Sequence, residues 1–160
     1  RTMKQTMIRL LALALFAGAT ACSDDDAITP PDAVRHTFTG MFPRAVDVEW
    51  ERRTPYLVAE FDDAGSDTEA WFDDAGKWYM TETESSYTAL PEAVRTAFET
   101  SNYASWRVDD VERILHHVRG TLHALDVERG AQEYELYYTD DGTLWQAVPD
   151  IDGLRDELLP

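Results

Sequence analysis

The chain has 160 residues, with 31 acidic side chains against 14 lysines and arginines and a formal net charge of −17. This length suits one ordinary domain and is too short for two enzyme-sized ones. The hydrophobic fraction of 44% and the aromatic fraction of 11% are typical of a folded chain. Because the chain is so acidic, it repels nucleic acid and anionic lipid headgroups, and we expect no nucleic-acid partner.

The first 21 residues have the pattern of a bacterial lipoprotein signal peptide. Basic residues precede an apolar segment, residues 10–19, which is too short for the ~20 residues that a membrane-spanning helix needs. The sequence ATAC that ends at Cys22 resembles a lipobox, although Ala19 stands where leucine is usual. We therefore predict lipidation of Cys22, which would anchor the chain in a membrane. There are two alternatives. The leader is an ordinary signal peptide that is cleaved after Ala21, or Cys22 is a buried thiol.

An acidic tether, residues 22–29, follows the leader. Its residues Ser23, Asp24, Asp25 and Asp26 resemble the signal by which some Gram-negative bacteria export lipoproteins to the cell surface. The alternative is a solvated linker, which such a run of charge forms in any case. We expect an outer-membrane lipoprotein that lies on the cell surface or on the periplasmic face.

A sequence motif occurs twice, sixty residues apart. The segments PDAVRHTF, residues 31–38, and PEAVRTAF, residues 91–98, both read as helix starts, since proline and an acid suit the first turn. Alternating apolar and polar runs broken by turn residues follow each motif and predict antiparallel strands. We predict an α+β fold of two tandem repeats, residues 30–87 and 88–150, each a helix followed by an antiparallel β-meander of about four strands. A tail, residues 151–160, follows.

Several short motifs resemble a known family. They are LPEAV at residues 90–94, FPRA at residues 42–45 ahead of the VEW of residues 48–50, and FDDAGKW at residues 72–78. In order and spacing they are similar to the PepSY-like, beta-lactamase-inhibitor-like lipoproteins over roughly residues 30–148. The resemblance implies an exported domain of helices and antiparallel sheet and carries no activity with it. The inhibitor that gives the fold its name uses disulfides, for which this chain has no cysteine pair.

Three aromatic residues fall out of phase with the apolar alternation of their strands: Trp71, Tyr79 and Tyr137. Core packing is one interpretation. The other is an exposed aromatic strip on the open face of the sheet, which would bind an envelope protein or peptide. We predict a non-catalytic binding module on this basis, with these three residues at the partner-binding site.

The sequence gives little support for catalysis, a cofactor or a metal site. No nucleophile elbow, catalytic cysteine or phosphate-binding glycine loop is found. The four histidines lack zinc-site spacing; they are His36, His116, His117 and His123. The acidic turn at residues 62–69 lacks the spacing of an EF-hand. A calcium- or ligand-responsive sensor that uses acidic turns, or a structural surface protein, stays open as the alternative function.

Overall fold

A computed structural model describes residues 28–149. Four predicted features lie outside the described residues: the signal peptide, the lipidation site Cys22, the export signal at residues 23–26 and the tail at residues 151–160. The predictions made for them are therefore not tested by the structure.

Two short helices begin at the two copies of the repeated motif. Helix α1 spans Asp32–Met41 and helix α2 spans Glu92–Glu99, each directly after a proline and with its acidic residue in the first turn. The missing N–H of proline costs nothing there, and the carboxylate meets the positive end of the helix dipole. The prediction of helix starts at these motifs is confirmed. A single 3₁₀ turn, Tyr87–Ala89, precedes α2.

Eight strands form one antiparallel sheet in which each strand pairs with the next along the chain. The strands are β1 (Val46–Arg53), β2 (Tyr56–Asp63), β3 (Ser66–Phe72), β4 (Trp78–Glu84), β5 (Arg107–His116), β6 (Gly120–Arg129), β7 (Gln132–Thr139) and β8 (Leu144–Pro149).

The prediction of two tandem helix-plus-meander repeats is wrong. Strand β4 pairs with β5 from Met80 opposite His116 to Glu84 opposite Glu112, so all eight strands belong to a single continuous sheet. The described chain is therefore mostly β, with two short helices rather than two separate helix-plus-meander units. Similar segments in a sequence reveal similar local structure, but they do not reveal that two strands far apart in the chain will join edge to edge.

Both helices pack on the same face of this sheet, which we call the helix face. Val34 and Phe38 of α1 pack with apolar residues of β2 and β3. Val94 and Phe98 of α2 pack with residues of β5, β6 and β7. Each helix thus buries its one apolar stripe, as its residue spacing predicts.

The start of each helix rests against a tight turn. A side-chain carbon at Gly76, between β3 and β4, would lie 2.7 Å from the Ala33 carbonyl oxygen; at Gly142, between β7 and β8, it would lie 2.5 Å from the Ala93 oxygen. Both glycines also have positive φ, 83° and 82°, which only glycine adopts without strain. These contacts fix the position of each helix on the helix face. The opposite face of the sheet is covered by neither helix.

Candidate partner-binding face

The face of the sheet opposite the helices carries a second apolar cluster, and we call this side the open face. The cluster draws on strands β2 to β8, and neither α1 nor α2 contributes to it. Its buried members are Tyr56, Val58, Trp71, Met80, Ile114, Leu122, Ala124, Tyr137 and Val148, with Tyr79 and Trp145 packed against them. Within residues 28–149, this apolar cluster is thus built from side chains of the strands alone.

The three aromatic residues predicted at the binding site all lie on this open face. However, Trp71 is only 7% exposed and Tyr137 only 4% exposed, so the expected exposure is wrong for both, and Tyr79 is half-buried. Two neighbours lie against the Trp71 ring: the Tyr56 ring, with centroids 6.2 Å apart, and the Arg53 guanidinium, 5.0 Å from its centre. The Tyr56 ring also lies 5.1 Å from that of Tyr79. Partner binding by these three residues stays a prediction.

Two β-bulges shape the open face, and sequence alternation missed both. Trp71 pairs with Met80 while Phe72 pairs with Trp78, which leaves Tyr79 as an extra residue in β4. A matching bulge in β8 leaves Trp145 as the extra residue. An extra residue shifts the phase of the strand, so Met80 joins the open face instead of the face that strict alternation assigns to it.

Rows of carboxylates run beside this apolar cluster. Glu60 lies opposite Glu49 on one side and Glu69 on the other, and Glu69 lies opposite Glu82, so one row crosses β1 to β4. Like charges directly opposite each other destabilise a sheet. Burial raises the pKa of the Glu60 carboxyl, and the charge of Glu69 raises it further. The ionised Glu60 carboxylate therefore costs folding free energy at neutral pH.

Facing carboxylates also occur on strands β5 to β7, on the open face. Asp126 of β6 lies opposite Asp110 on β5 and Glu135 on β7. Two further pairs of facing carboxylates are Glu84 with Glu112 and Glu128 with Glu133. The acidic rows therefore extend across most of the open face.

Arg53 shows how this surface holds a cation. Its guanidinium donates hydrogen bonds to Glu69 at 2.6 Å and to Glu60 at 2.8 Å, and it also bonds Glu51. The same group stacks on the ring of Trp71, 5.0 Å from its centre. Charge-assisted bonds and cation–π stacking thus act together on one guanidinium.

The indole N–H of Trp71 has no hydrogen-bond acceptor among the described residues. A buried donor left unsatisfied costs roughly 1–3 kcal/mol. The other two buried polar atoms without a partner, on Trp106 and Tyr138, belong to the cluster under α2 on the helix face. Trp71 is therefore the residue of the open face that lacks an acceptor.

The acidic turns use their carboxylates to build the turns themselves. Asp62 accepts the Gly65 N–H, and Asp73 accepts the N–H groups of Ala75 and Lys77. Such bonds are ordinary turn chemistry. Over the described part of the chain, no group of three or more His, Cys, Asp or Glu side chains is arranged to hold a metal ion. The turns thus offer no geometry in favour of a calcium sensor.

The histidines have local structural roles. His36 is exposed on α1, as expected of a surface residue. The Nδ1 of His116 accepts N–H bonds from residues 118 and 119, while the Nδ1 of His117 bonds the Tyr79 carbonyl oxygen. His123 bonds Asp140 at 2.8 Å. The rings of His116 and His117 stack on each other, with their centroids 4.9 Å apart.

Comparison with known proteins decides the family. The model of the beta-lactamase-inhibitor-like, PepSY-like family matches residues 55–146, more than half of the chain. The chain belongs to this family. The resemblance read from its short motifs is thereby confirmed. No match is found among the curated proteins.

Several solved structures share the fold of this chain. A BLIP-like protein from Bacteroides fragilis is 34% identical with a TM-score of 0.75, and the match covers 81% of this chain and 93% of that one. A DUF2874 family protein from Bacteroides ovatus is 31% identical with a TM-score of 0.76, over 82% and 98% of the two chains. A candidate periplasmic protein from Bacteroides eggerthii is 24% identical with a TM-score of 0.74, over 80% and 94%; that likeness shows the fold alone.

This PepSY-like fold favours a binding or inhibitor-like module over an enzyme. Neither helix in residues 28–149 is long and apolar enough to cross a membrane.

Proposed function

We propose that the protein is a lipid-anchored envelope protein that binds another protein or a peptide, without catalysis, on the open face of its sheet. The observation that carries this proposal is the apolar and aromatic cluster on that face, which no helix of residues 28–149 covers. Aromatic residues beside a polar rim are typical of protein-binding surfaces. Tyr79 and Trp145 are half-buried aromatic members of this cluster, and a cation of this chain lies over each ring, Lys77 over Tyr79 and Arg119 over Trp145.

The proposed location rests on the sequence before the domain. A basic segment, an apolar segment and a lipobox-like ATAC place the single cysteine, Cys22, where a lipoprotein is acylated. We propose anchoring in the outer membrane, with residues 23–26 directing the chain to the cell surface.

Site-specific photo-cross-linking in intact cells tests the proposed face. The photoreactive p-benzoylphenylalanine replaces either Glu84, which is exposed on the open face, or Thr96, which is exposed on α2. We expect a cross-linked partner at position 84 and none at position 96. Replacing Tyr79→Ala in the position-84 chain should abolish the product while the thermal melt shows that the domain still folds.

Cross-links at position 96 alone, or of equal yield at both positions, would rule out the open face. In the same cells, a Cys22→Ser chain should leave the membrane fraction. A chain that stays there would contradict lipid anchoring.

A further inference from the structure

The open face carries two exposed cations at one end. We call it the turn end, because it holds the turns that precede β2, β4, β6 and β8. Lys77 lies in the turn between β3 and β4, and Arg119 lies in the turn between β5 and β6. Each cation is placed over an aromatic ring of the open-face cluster. The distances to the ring centres are 4.4 Å for Lys77 on Tyr79 and 4.0 Å for Arg119 on Trp145.

Neither cation is neutralised by a carboxylate of the described chain. Arg52, Arg53 and Arg107 each have a carboxylate oxygen within 2.9 Å. For Lys77 and Arg119, no carboxylate of residues 28–149 lies within ion-pair distance. Stacking on a ring stabilises a cation without cancelling its charge. Both charged groups are therefore open to an anion from outside the chain.

Hydrogen bonds hold the backbone of both turns in place. Asp73 accepts the Lys77 N–H at 2.9 Å and the Tyr79 hydroxyl at 3.2 Å. In the other turn, Nδ1 of the buried His116 accepts the N–H groups of residues 118 and 119. A site whose groups are already ordered loses less conformational entropy when a ligand binds. The two cations thus extend from turns that are organised before binding.

Val118 adds an apolar group to the turn end. Its side chain is 75% exposed, which is the largest exposed fraction among the large hydrophobic residues of the described chain. It precedes Arg119 and follows His117, whose ring lies 5.1 Å from the Tyr79 ring. The turn end therefore combines two cations with aromatic and apolar surface, a combination that is typical of protein interfaces.

We propose, on the basis of the proposed function, that the turn end binds an acidic segment of the partner polypeptide. Aspartate or glutamate side chains of this segment pair with Lys77 and Arg119, and an apolar side chain between them lies on Val118. Tyr79 and Trp145 are four strands apart, so at ~4.8 Å per strand the two cations lie within about 19 Å of each other along the sheet. An extended segment covers this distance with about six residues.

A polyanion such as a nucleic acid does not fit the same surface. The net charge of the chain is −17, and carboxylates such as Glu84 and Glu112 lie at the opposite end of the open face. Both repel a ligand that is anionic along its whole length. A polypeptide carries its carboxylates at chosen positions, so its acidic part lies at the turn end while its neutral or basic part lies towards the other end.

Peptide selection against the full-length chain tests the proposal. The probe is a phage-displayed library of random twelve-residue peptides, selected on the wild type and on a Lys77→Gln, Arg119→Gln variant. We expect wild-type selection to raise the frequency of aspartate and glutamate about twofold or more, and the variant to lose this enrichment. Because the whole chain is acidic, non-specific attraction would enrich arginine and lysine instead. Basic or unbiased peptides from the wild type would overturn the proposal.

The control variant carries Arg44→Gln and Arg113→Gln, which remove the same charge from other exposed positions. Arg44 lies between α1 and β1, and Arg113 lies opposite His123 on the helix face. Selection on this control should still yield acidic peptides. Loss of the enrichment in both variants would mean that only the overall charge matters, and would overturn the proposal. Thermal melts confirm that both variants are folded.

Affinities measured by fluorescence anisotropy refine the test. The probes are one selected acidic peptide and a copy in which glutamine and asparagine replace its acidic residues, at about 0.15 M salt, where long-range attraction is screened. The wild type should bind the acidic form about tenfold more tightly, because two exposed ion pairs each contribute modestly and add. The Lys77→Gln, Arg119→Gln variant should bind both forms equally. A preference that persists in this variant would overturn the proposal.

Cross-linking separates this proposal from the proposed function. If a partner is cross-linked at position 84 while selection yields no acidic peptides, the acidic-segment proposal falls and the proposed function stands. Acidic peptides that depend on Lys77 and Arg119, without a cross-link at position 84, would support the turn-end site and count against the proposed function.

Discussion

The two faces of the sheet bury apolar side chains by different means. On the helix face, Phe38 of α1 packs its ring against those of Phe42, Trp50, Phe61 and Phe72, at centroid distances of 5.0 to 6.4 Å. On the open face, the cluster within residues 28–149 is formed by side chains of the strands and is bordered by carboxylates. The helix face thus follows the ordinary rules of a core, while the open face combines an apolar cluster with facing carboxylates. That difference is the reason why we propose the open face as the binding surface.

Removing a core side chain from the helix face should have the largest effect. Phe38→Ala should lower the free energy of unfolding by roughly 3–5 kcal/mol, because it deletes a buried ring and leaves a cavity. Urea denaturation followed by circular dichroism measures the change. Met41→Ala, at an exposed position in the same helix, should stay within about 0.5 kcal/mol. A loss under 1 kcal/mol for Phe38→Ala would mean that α1 is not part of the core.

Removing the cation of the open face should have an intermediate effect. Arg53→Met leaves the Glu69 carboxylate, whose side chain is only 9% exposed, without its closest cation. We expect a loss of about 2 kcal/mol, between the values for exposed and buried ion pairs. The double variant Arg53→Met with Glu69→Gln should recover most of the loss in the same denaturation experiment. Without that recovery, the effect would come from lost packing on Trp71 rather than from an uncompensated charge.

Neutralising one member of the carboxylate row should change the free energy of unfolding least. This change should raise the stability, whereas the two changes above lower it. Glu60→Gln should raise the free energy of unfolding at pH 7 by about 0.5 kcal/mol, because it removes repulsion from Glu49 and Glu69 and keeps an acceptor for Arg53. The pKa of Glu60 in the folded chain is raised above its ordinary value of 4.5. The wild type therefore gains stability from this group as the pH falls from 7 through the raised pKa towards 4.5.

The difference between wild type and Glu60→Gln should be greatest at pH 7 and should vanish near pH 4.5. Thermal melts of both chains over this range measure it. A variant that is less stable than the wild type at pH 7 would mean that the bond to Arg53 outweighs the repulsion.

Local features of the fold could be predicted from the sequence, and features that depend on strand register could not. The two helix starts follow from proline and an acid ahead of an apolar stripe. The β4–β5 pairing and the bulge that places Met80 on the open face depend on contacts between distant strands, which leave no local signal. In β1, Val46, Val48 and Trp50 alternate with acidic residues, a pattern that predicts one buried apolar face. A bulge between Val46 and Glu49 interrupts this pattern, and Val46 and Val48 are exposed.

Only the part of the candidate site that lies within single strands could be predicted from the sequence. Trp71, Tyr79 and Tyr137 stand out because each breaks the alternation of its own strand, and a single strand is enough to show that. The carboxylate row was missed because it appears only when β1 to β4 are aligned. In the linear sequence, each of its members is one more acidic residue among 31.

The contacts between glycine turns and helix starts set an order in which parts of the domain can assemble. Ala33 abuts a turn that lies some forty residues later, at Gly76, and Ala93 abuts one at Gly142. The contact surface of each helix start is therefore incomplete until the hairpin that contains this turn, β3–β4 or β7–β8, has formed. Along the chain, α1 precedes its turn by three strands, β1 to β3, and α2 precedes its turn by β5 to β7. We therefore expect each helix to dock fully only after the hairpin that it contacts has formed.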